Sequence, residues 1–215
     1  MVNLCIINGS PKTQNSNSDF FIKELTSNLN DDINIKKYYV REILKDSNIL
    51  KEVVKNDKLL IVSPLYADSF PSITLKFLEL FEDFLEKNAH SKIEVYGMVN
   101  CGFFEGEQNK IALNILEHFC NRSNLTWKFG LGIGGGEYFP NSSKTPEKMP
   151  TNESLYSALL ALRKSIENDN ATHKNILIRP DKMSASFYRL TCNLGWYLMS
   201  FQKTHKIPHL RKKIY

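Results

Sequence analysis

Four segments of this chain concentrate the residue types that bind small ligands. Residues 9–18 (GSPKTQNSNS) pack hydroxyls, amides and a lysine into one stretch. Set at the start of a helix, backbone N–H groups and the helix dipole favour an anion there, and the side chains add donors. The stretch is neither G-x-G-x-x-G nor G-x-x-x-x-G-K-[ST], which disfavours a Rossmann dinucleotide site and a P-loop. The plainer alternative is a polar turn with Ser18 as helix N-cap. Residues 63–71 (SPLYADSFP) carry a proline near each end, and Tyr66 and Phe70 could cover a planar ligand or pack locally. Residues 100–107 (NCGFFEGE) and 134–137 (GGGE) add glycines that permit close backbone approach.

Other chemistries find little support. The histidines (His90, His118, His173, His205, His209) fall outside these four segments, so neither a metal site nor a Ser/His/Asp constellation is expected. Cys5, Cys101, Cys120 and Cys192 lie far apart with no C-x-x-C pair, which argues against a disulfide scaffold, a zinc ribbon or a cysteine-held iron–sulfur cluster. Cys101 is the one thiol near the ligand-binding loops and reads as a small residue shaping a pocket. The other three read as core cysteines.

Short apolar runs alternating with helical patterns position these loops. Strands are expected at about 2–7, 33–40, 59–62, 93–99 and 127–133, the second being partly polar as an edge strand is. Helical spacing appears over Phe20–Leu29, Ile49–Val54, Ile73–Leu85 and Ile111–Cys120. This β-α alternation predicts a doubly wound sheet of five parallel strands. In such a sheet, ligands bind beyond the carboxyl ends of the strands, where all four loops fall. A connector at 140–152, rich in Pro, Asn, Ser and Lys, then leads to two helices, near 153–167 and 182–202. The expected organisation is therefore a domain at 1–139 and a helical extension with a basic tail at 140–215.

The combined loops resemble the flavodoxin-like NAD(P)H-dependent FMN reductases. Asn8-Gly9-Ser10-Pro11-Lys12 followed by Ser16-Asn17-Ser18 is similar to that family's phosphate loop, with Ser16 where the family often has glycine. Ser63-Pro64-Leu65-Tyr66, Pro71 and Leu75-Lys76-Phe77 resemble its second loop and following helix. The resemblance covers about residues 1–137. It implies a flavodoxin-like fold in which Ser10, Lys12, Ser16, Asn17 and Ser18 hold the FMN phosphate. Pro64, Leu65, Tyr66 and Ala67 would line the isoalloxazine, with Asn100, Cys101, Gly102 and Phe103 on its polar edge, completed by Gly135 and Gly136. The cysteines of the family's iron–sulfur branch are missing.

The implied activity is transfer of hydride or electrons from NAD(P)H through FMN to quinone, azo, nitro or flavin acceptors. The alternative is a non-enzymatic flavin electron carrier or redox sensor for a protein partner. Because flavin carries the redox chemistry, no catalytic side chain is required. A homodimer is implied as well, since flavin pockets in this family are often shared across a two-fold interface.

Charge bounds the partners. The chain has 28 Lys+Arg against 23 Asp+Glu, with 42% hydrophobic residues. Five of the basic residues fall in 203–215, leaving 23 against 23 in positions 1–202. A neutral body gives no support for nucleic-acid binding. No apolar run approaches the ~18 residues of a membrane span, and the N-terminus lacks a signal-peptide pattern, so a cytoplasmic protein is expected. Residues 183–203 (MSASFYRLTCNLGWYLMSFQK) place Met183, Phe187, Leu190, Leu194, Tyr197 and Phe201 on one helical stripe. Such a stripe needs cover, from the body, a dimer mate or an anionic membrane surface.

Overall fold

The computed structural model describes residues 2–12, 14–88, 92–142, 152–168 and 174–202. Most of the expected connector, the basic tail, and His90, His173, His205 and His209 lie outside them. One compact unit spans Met1–Asp181 and a second spans Lys182–Tyr215.

The first unit is built on a parallel sheet in the order β2-β1-β3-β4-β5-β6. Its strands are β1 (Val2–Asn8), β2 (Ile33–Tyr39), β3 (Lys58–Pro64), β4 (Glu94–Asn100), β5 (Thr126–Ile133) and β6 (Ile176–Ile178). The first five follow the 2-1-3-4-5 order of flavodoxin-like folds, in which strand order reverses between β1 and β3. The sheet has six strands where five were expected. The sixth pairs Leu131, Gly132 and Ile133 with Ile176, Leu177 and Ile178 in parallel register. Three apolar residues are too few to show a period, so the sequence gives no strand signal there. At the other edge, Val40 is not the last residue of β2 but the first of α2 (Val40–Lys45).

Alternate strand residues face two cores, as the period-two pleat requires. Cys5, Ile7, Leu59, Ile61, Val95 and Val99 pack against one helical layer. That layer comprises α2, α3 (Leu50–Val53), α4 (Ser72–Lys87) and α5 (Lys110–Arg122). Leu4, Ile6, Leu60, Val62, Tyr96, Met98 and Leu131 face the other layer. It holds α1 (Asn17–Thr26), α6 (Tyr138–Ser142) and α7 (Glu153–Asn168). The helix expected near 153–167 is thus α7, but it packs in the core of the first unit and does not belong to an extension. Arg163 explains part of its hold. This buried guanidinium donates from Nε to the Leu25 carbonyl at 3.0 Å and from Nη2 to the Glu24 carbonyl, where α1 ends. A cation at a helix C-terminus satisfies carbonyls that have no intrahelical partner. The second unit contains α8 (Ala185–Gln202).

Candidate functional site

The site grows from the carboxyl end of β1. Asn8 is fully buried there, and its Oδ1 accepts the Ser10 N–H at 2.9 Å, turning the chain into the loop. At Gly9 the loop passes so close to α4 that a Cβ would stand 2.6 Å from Thr74 Oγ1 and 3.0 Å from Ser63 Oγ. Thr74, fully buried, donates to the Gly9 carbonyl at 2.8 Å and fixes that approach. Farther on, the Lys12 N–H donates to Ser10 Oγ at 3.3 Å, and Arg41 Nη1 donates to the Lys12 carbonyl at 2.8 Å.

The loop ends in a capping box. Ser16, not Ser18, is the N-cap of α1. Its Oγ accepts the Asp19 N–H at 3.0 Å and donates to Asp19 Oδ2 at 2.8 Å. The Ser16 hydroxyl proton is therefore already committed to Asp19. Asn17 and Ser18 occupy the first helical positions, whose N–H groups have no intrahelical acceptor.

Asp19 gathers the surroundings of the loop. Asn8 Nδ2, Lys37 Nζ and Tyr39 OH donate to its Oδ1 at 2.8, 2.7 and 2.9 Å. Burial works to raise the carboxyl, but the hydrogen bonds from Lys37, Ser16 and Tyr39 and the Lys37 charge outweigh it and hold the pKa at about 2. Lys37 is correspondingly raised: burial opposes its charge, and Asp19 more than compensates. The Tyr39 ring carries both Lys37 Nζ, at 4.8 Å, and the Arg41 guanidinium, at 4.3 Å. Lys37 from the edge strand, Arg41 from α2 and the clamped Asp19 carboxylate of α1 thus brace the loop.

After β3, Pro64 leads into a tight reversal. Tyr66 and Ser69 exchange hydrogen bonds of 2.7 and 3.0 Å, and Ala67 and Asp68 both have positive φ, 47° and 62°. Two successive left-handed residues are the geometry of a type I′ turn, normally given to Asn-Gly. Ala67 adopts it at a steric cost. The turn holds Tyr66 with its ring half exposed. Asn100 closes β4, donating from Nδ2 to Ser18 Oγ at 3.4 Å and to the Ser63 carbonyl at 3.3 Å.

Ser10, Lys12, Ser16, Asn17, Ser18, Pro64, Tyr66, Asn100 and Glu137 line one open cleft. It sits where strand order reverses, the place for a ligand in an open α/β sheet. Eight of these nine residues were singled out from the sequence. The remaining candidates do not line the cleft. Leu65 supports its floor through an N–H to the Asn100 carbonyl at 2.8 Å, and Ala67 sits in the turn. Cys101, Gly102, Phe103, Gly135 and Gly136 form an adjoining backbone shelf. There Gly135 N–H donates to the Phe103 carbonyl, and Gly136 N–H to the Cys101 carbonyl at 2.7 Å. A Cβ at Gly136 would come within 3.1 Å of the Cys101 carbonyl and 3.2 Å of Asn100 Cβ, so a side chain there would push the shelf back by a few tenths of an ångström. The Cys101 thiol is buried among the Phe103 and Glu105 carbonyls and Asn109. Burial chiefly raises its pKa, so it is a poor nucleophile.

Sequence reasoning missed Glu137, Asp19, Lys37, Tyr39 and Arg41. A signal existed for one of them: Ser16-Asn17-Ser18-Asp19 spells a capping box before an apolar run.

No protein-family model and no curated protein matches the sequence. Solved structures do match in shape. An NADPH-quinone reductase from P. pentosaceus superposes with a TM-score of 0.54 at 17% identity, over 78% of this chain and 99% of that one. An apo NADH:FMN oxidoreductase gives 0.54 at 15% identity, over 79% and 92%. An FMN-dependent NADH-azoreductase from Bacillus anthracis, in complex with FMN, gives 0.52 at 14%, over 78% and 100%. At these identities the likeness establishes the fold: the first unit is a flavodoxin-like α/β domain.

Proposed function

We propose that the cleft binds FMN and that the protein is an NAD(P)H-dependent flavin oxidoreductase serving small quinone, azo, nitro or flavin acceptors. The observation that carries this reading is the meeting of Ser10, Lys12, Asn17 and Ser18 with Pro64, Tyr66 and Asn100 in one cleft at the β1/β3 reversal. The donor set suits a phosphate monoester at one end and a flat, partly polar ring at the other.

Bound FMN would accept a hydride and pass on one or two electrons. The chain's own residues supply binding and orientation. Lys12 and the opening N–H groups of α1 would take the phosphate, helped by the hydroxyls of Ser10 and Ser18. Ser16 would order the helix start, since its proton is given to Asp19. Tyr66, held by its strained turn, would lie against the ring and exclude water. Asn100 would present its amide to a polar edge. Tyr66 and Phe103 are 51% and 55% exposed beside the cleft, apolar surfaces suited to cover by a second subunit in a homodimer.

Titration of the purified protein with FMN tests the reading. FMN fluorescence is expected to quench on binding, and NAD(P)H should bleach the visible flavin band. Lys12→Ala should weaken FMN binding about tenfold, the value of one charge-assisted contact of ~1.4 kcal/mol. Absence of quenching, or quenching without bleaching by either nicotinamide, would defeat it.

A further inference from the structure

The second unit differs in composition from the first. Positions 182–215 hold seven Lys or Arg and no Asp or Glu, whereas positions 1–181 hold 21 basic residues against 23 acidic. The whole excess of positive charge thus belongs to the unit beginning at Lys182. Within α8, Phe187, Leu190, Leu194 and Leu198 recur at spacings of three and four, which sets them on one face. All four are more than half exposed, at 55%, 56%, 53% and 64%. Arg189 and Trp196, seven residues apart, fall on the opposite face by the same spacing. Arg189 lies along its own helix, its Nε donating to the Ala185 carbonyl at 3.2 Å. An apolar row of this length in water requires a partner. The helix cannot supply one by spanning a bilayer, because no described helix is long and apolar enough to cross a membrane.

We propose that α8 lies in the plane of an anionic lipid surface, its Phe187–Leu190–Leu194–Leu198 row at the acyl boundary and the Lys and Arg of positions 182–215 drawn to the headgroups. Charge selects this occupant. A symmetric pair of α8 helices from two copies would bring two acid-free, sevenfold positive segments together, and like charges oppose that contact. An anionic leaflet instead attracts every Lys and Arg in the segment. Tyr197, one position before Leu198, stands at the flank of the row, where an amphipathic aromatic settles at headgroup depth. An acid-free segment that joins an apolar helical row to seven Lys and Arg is the composition of an interfacial anchor. The proposal is independent of what the cleft binds.

The test is co-sedimentation of the full chain with phosphatidylserine/phosphatidylcholine vesicles, with pure phosphatidylcholine vesicles in parallel. Binding to the anionic vesicles is expected, at least tenfold weaker at 0.5 M than at 0.1 M salt, and weak to the neutral ones. The double variant L190E/L194E alters two exposed positions; it should keep the wild-type circular dichroism and melting temperature while losing vesicle binding at least tenfold. Three results would overturn the proposal. One is no sedimentation with anionic vesicles. Another is binding that L190E/L194E leaves intact, which assigns it to the basic residues alone. The third is a wild-type dimer by light scattering that becomes monomeric in L190E/L194E, which gives the face to a second copy.

Discussion

Replacing Asp19 by Asn removes one charge from the brace behind the 9–18 loop while keeping the shape of the side chain. In the native protein this carboxyl titrates at about 2 instead of 3.8. Taken at face value, a shift of nearly two pH units is worth about 2.4 kcal/mol. The carboxylate stands at an accessible helix start, so solvent screening reduces the expected contribution to about 1 kcal/mol. The direction follows from the depressed pKa. The stabilisation is fully present above the unfolded value near 3.8 and is lost as pH falls through about 2. Urea unfolding of wild type and Asp19→Asn, followed by tryptophan fluorescence from pH 7 to pH 2.5, reads this directly. All other carboxylates titrate alike in the two proteins and cancel in the difference. The variant should be less stable by about 1 kcal/mol from pH 7 down to about pH 5, and the gap should narrow steadily below pH 4. A gap unchanged at pH 2.5 would mean that packing or the cap was lost, not the charge. No gap at pH 7 would refute the account of Asp19 as the centre of the brace.

Two further outcomes follow from local geometry. Ala67→Gly removes a Cβ from a residue at φ 47°. It should stabilise the protein by about 1 kcal/mol and raise the melting temperature by roughly 2–4 °C, whereas an unchanged or lower value would show that the turn carries no strain. In the folded protein at pH 7.5, a thiol reagent should label one cysteine per chain quickly. That one is Cys192, which is exposed. Burial pushes Cys5 and Cys120 up to about 12 and raises Cys101, so fast labelling of a second residue, identified by mass spectrometry, would contradict their burial.

The sequence made the cleft legible because each of its main loops follows a strand, and strand ends lie together in a parallel sheet wherever their letters fall in the chain. Ser10, Lys12, Pro64, Tyr66 and Asn100 needed no more than that. The brace needed register. Lys37 and Tyr39 reach Asp19 because β2 pairs with β1 so that Asn8 stands opposite Tyr39 and Ile6 opposite Lys37. A shift of one residue would turn both side chains to the other face. Nothing in a partly polar edge strand announces which shift is taken. β6 was hidden for a different reason. A three-residue strand has no period of its own, and it is fixed by what it meets: the carbonyl of Ile178 accepts the Gly134 N–H, and Gly106 packs against the backbone of the same residue. Ser16 marks the limit most clearly. The same letters resemble a phosphate loop and spell a capping box, and spacing alone does not separate the two readings. Only the 2.8 Å bond to Asp19 decides which acceptor takes the Ser16 proton. In the proposed FMN site, that bond would leave the phosphate to Lys12, Ser10, Ser18 and the helix N–H groups.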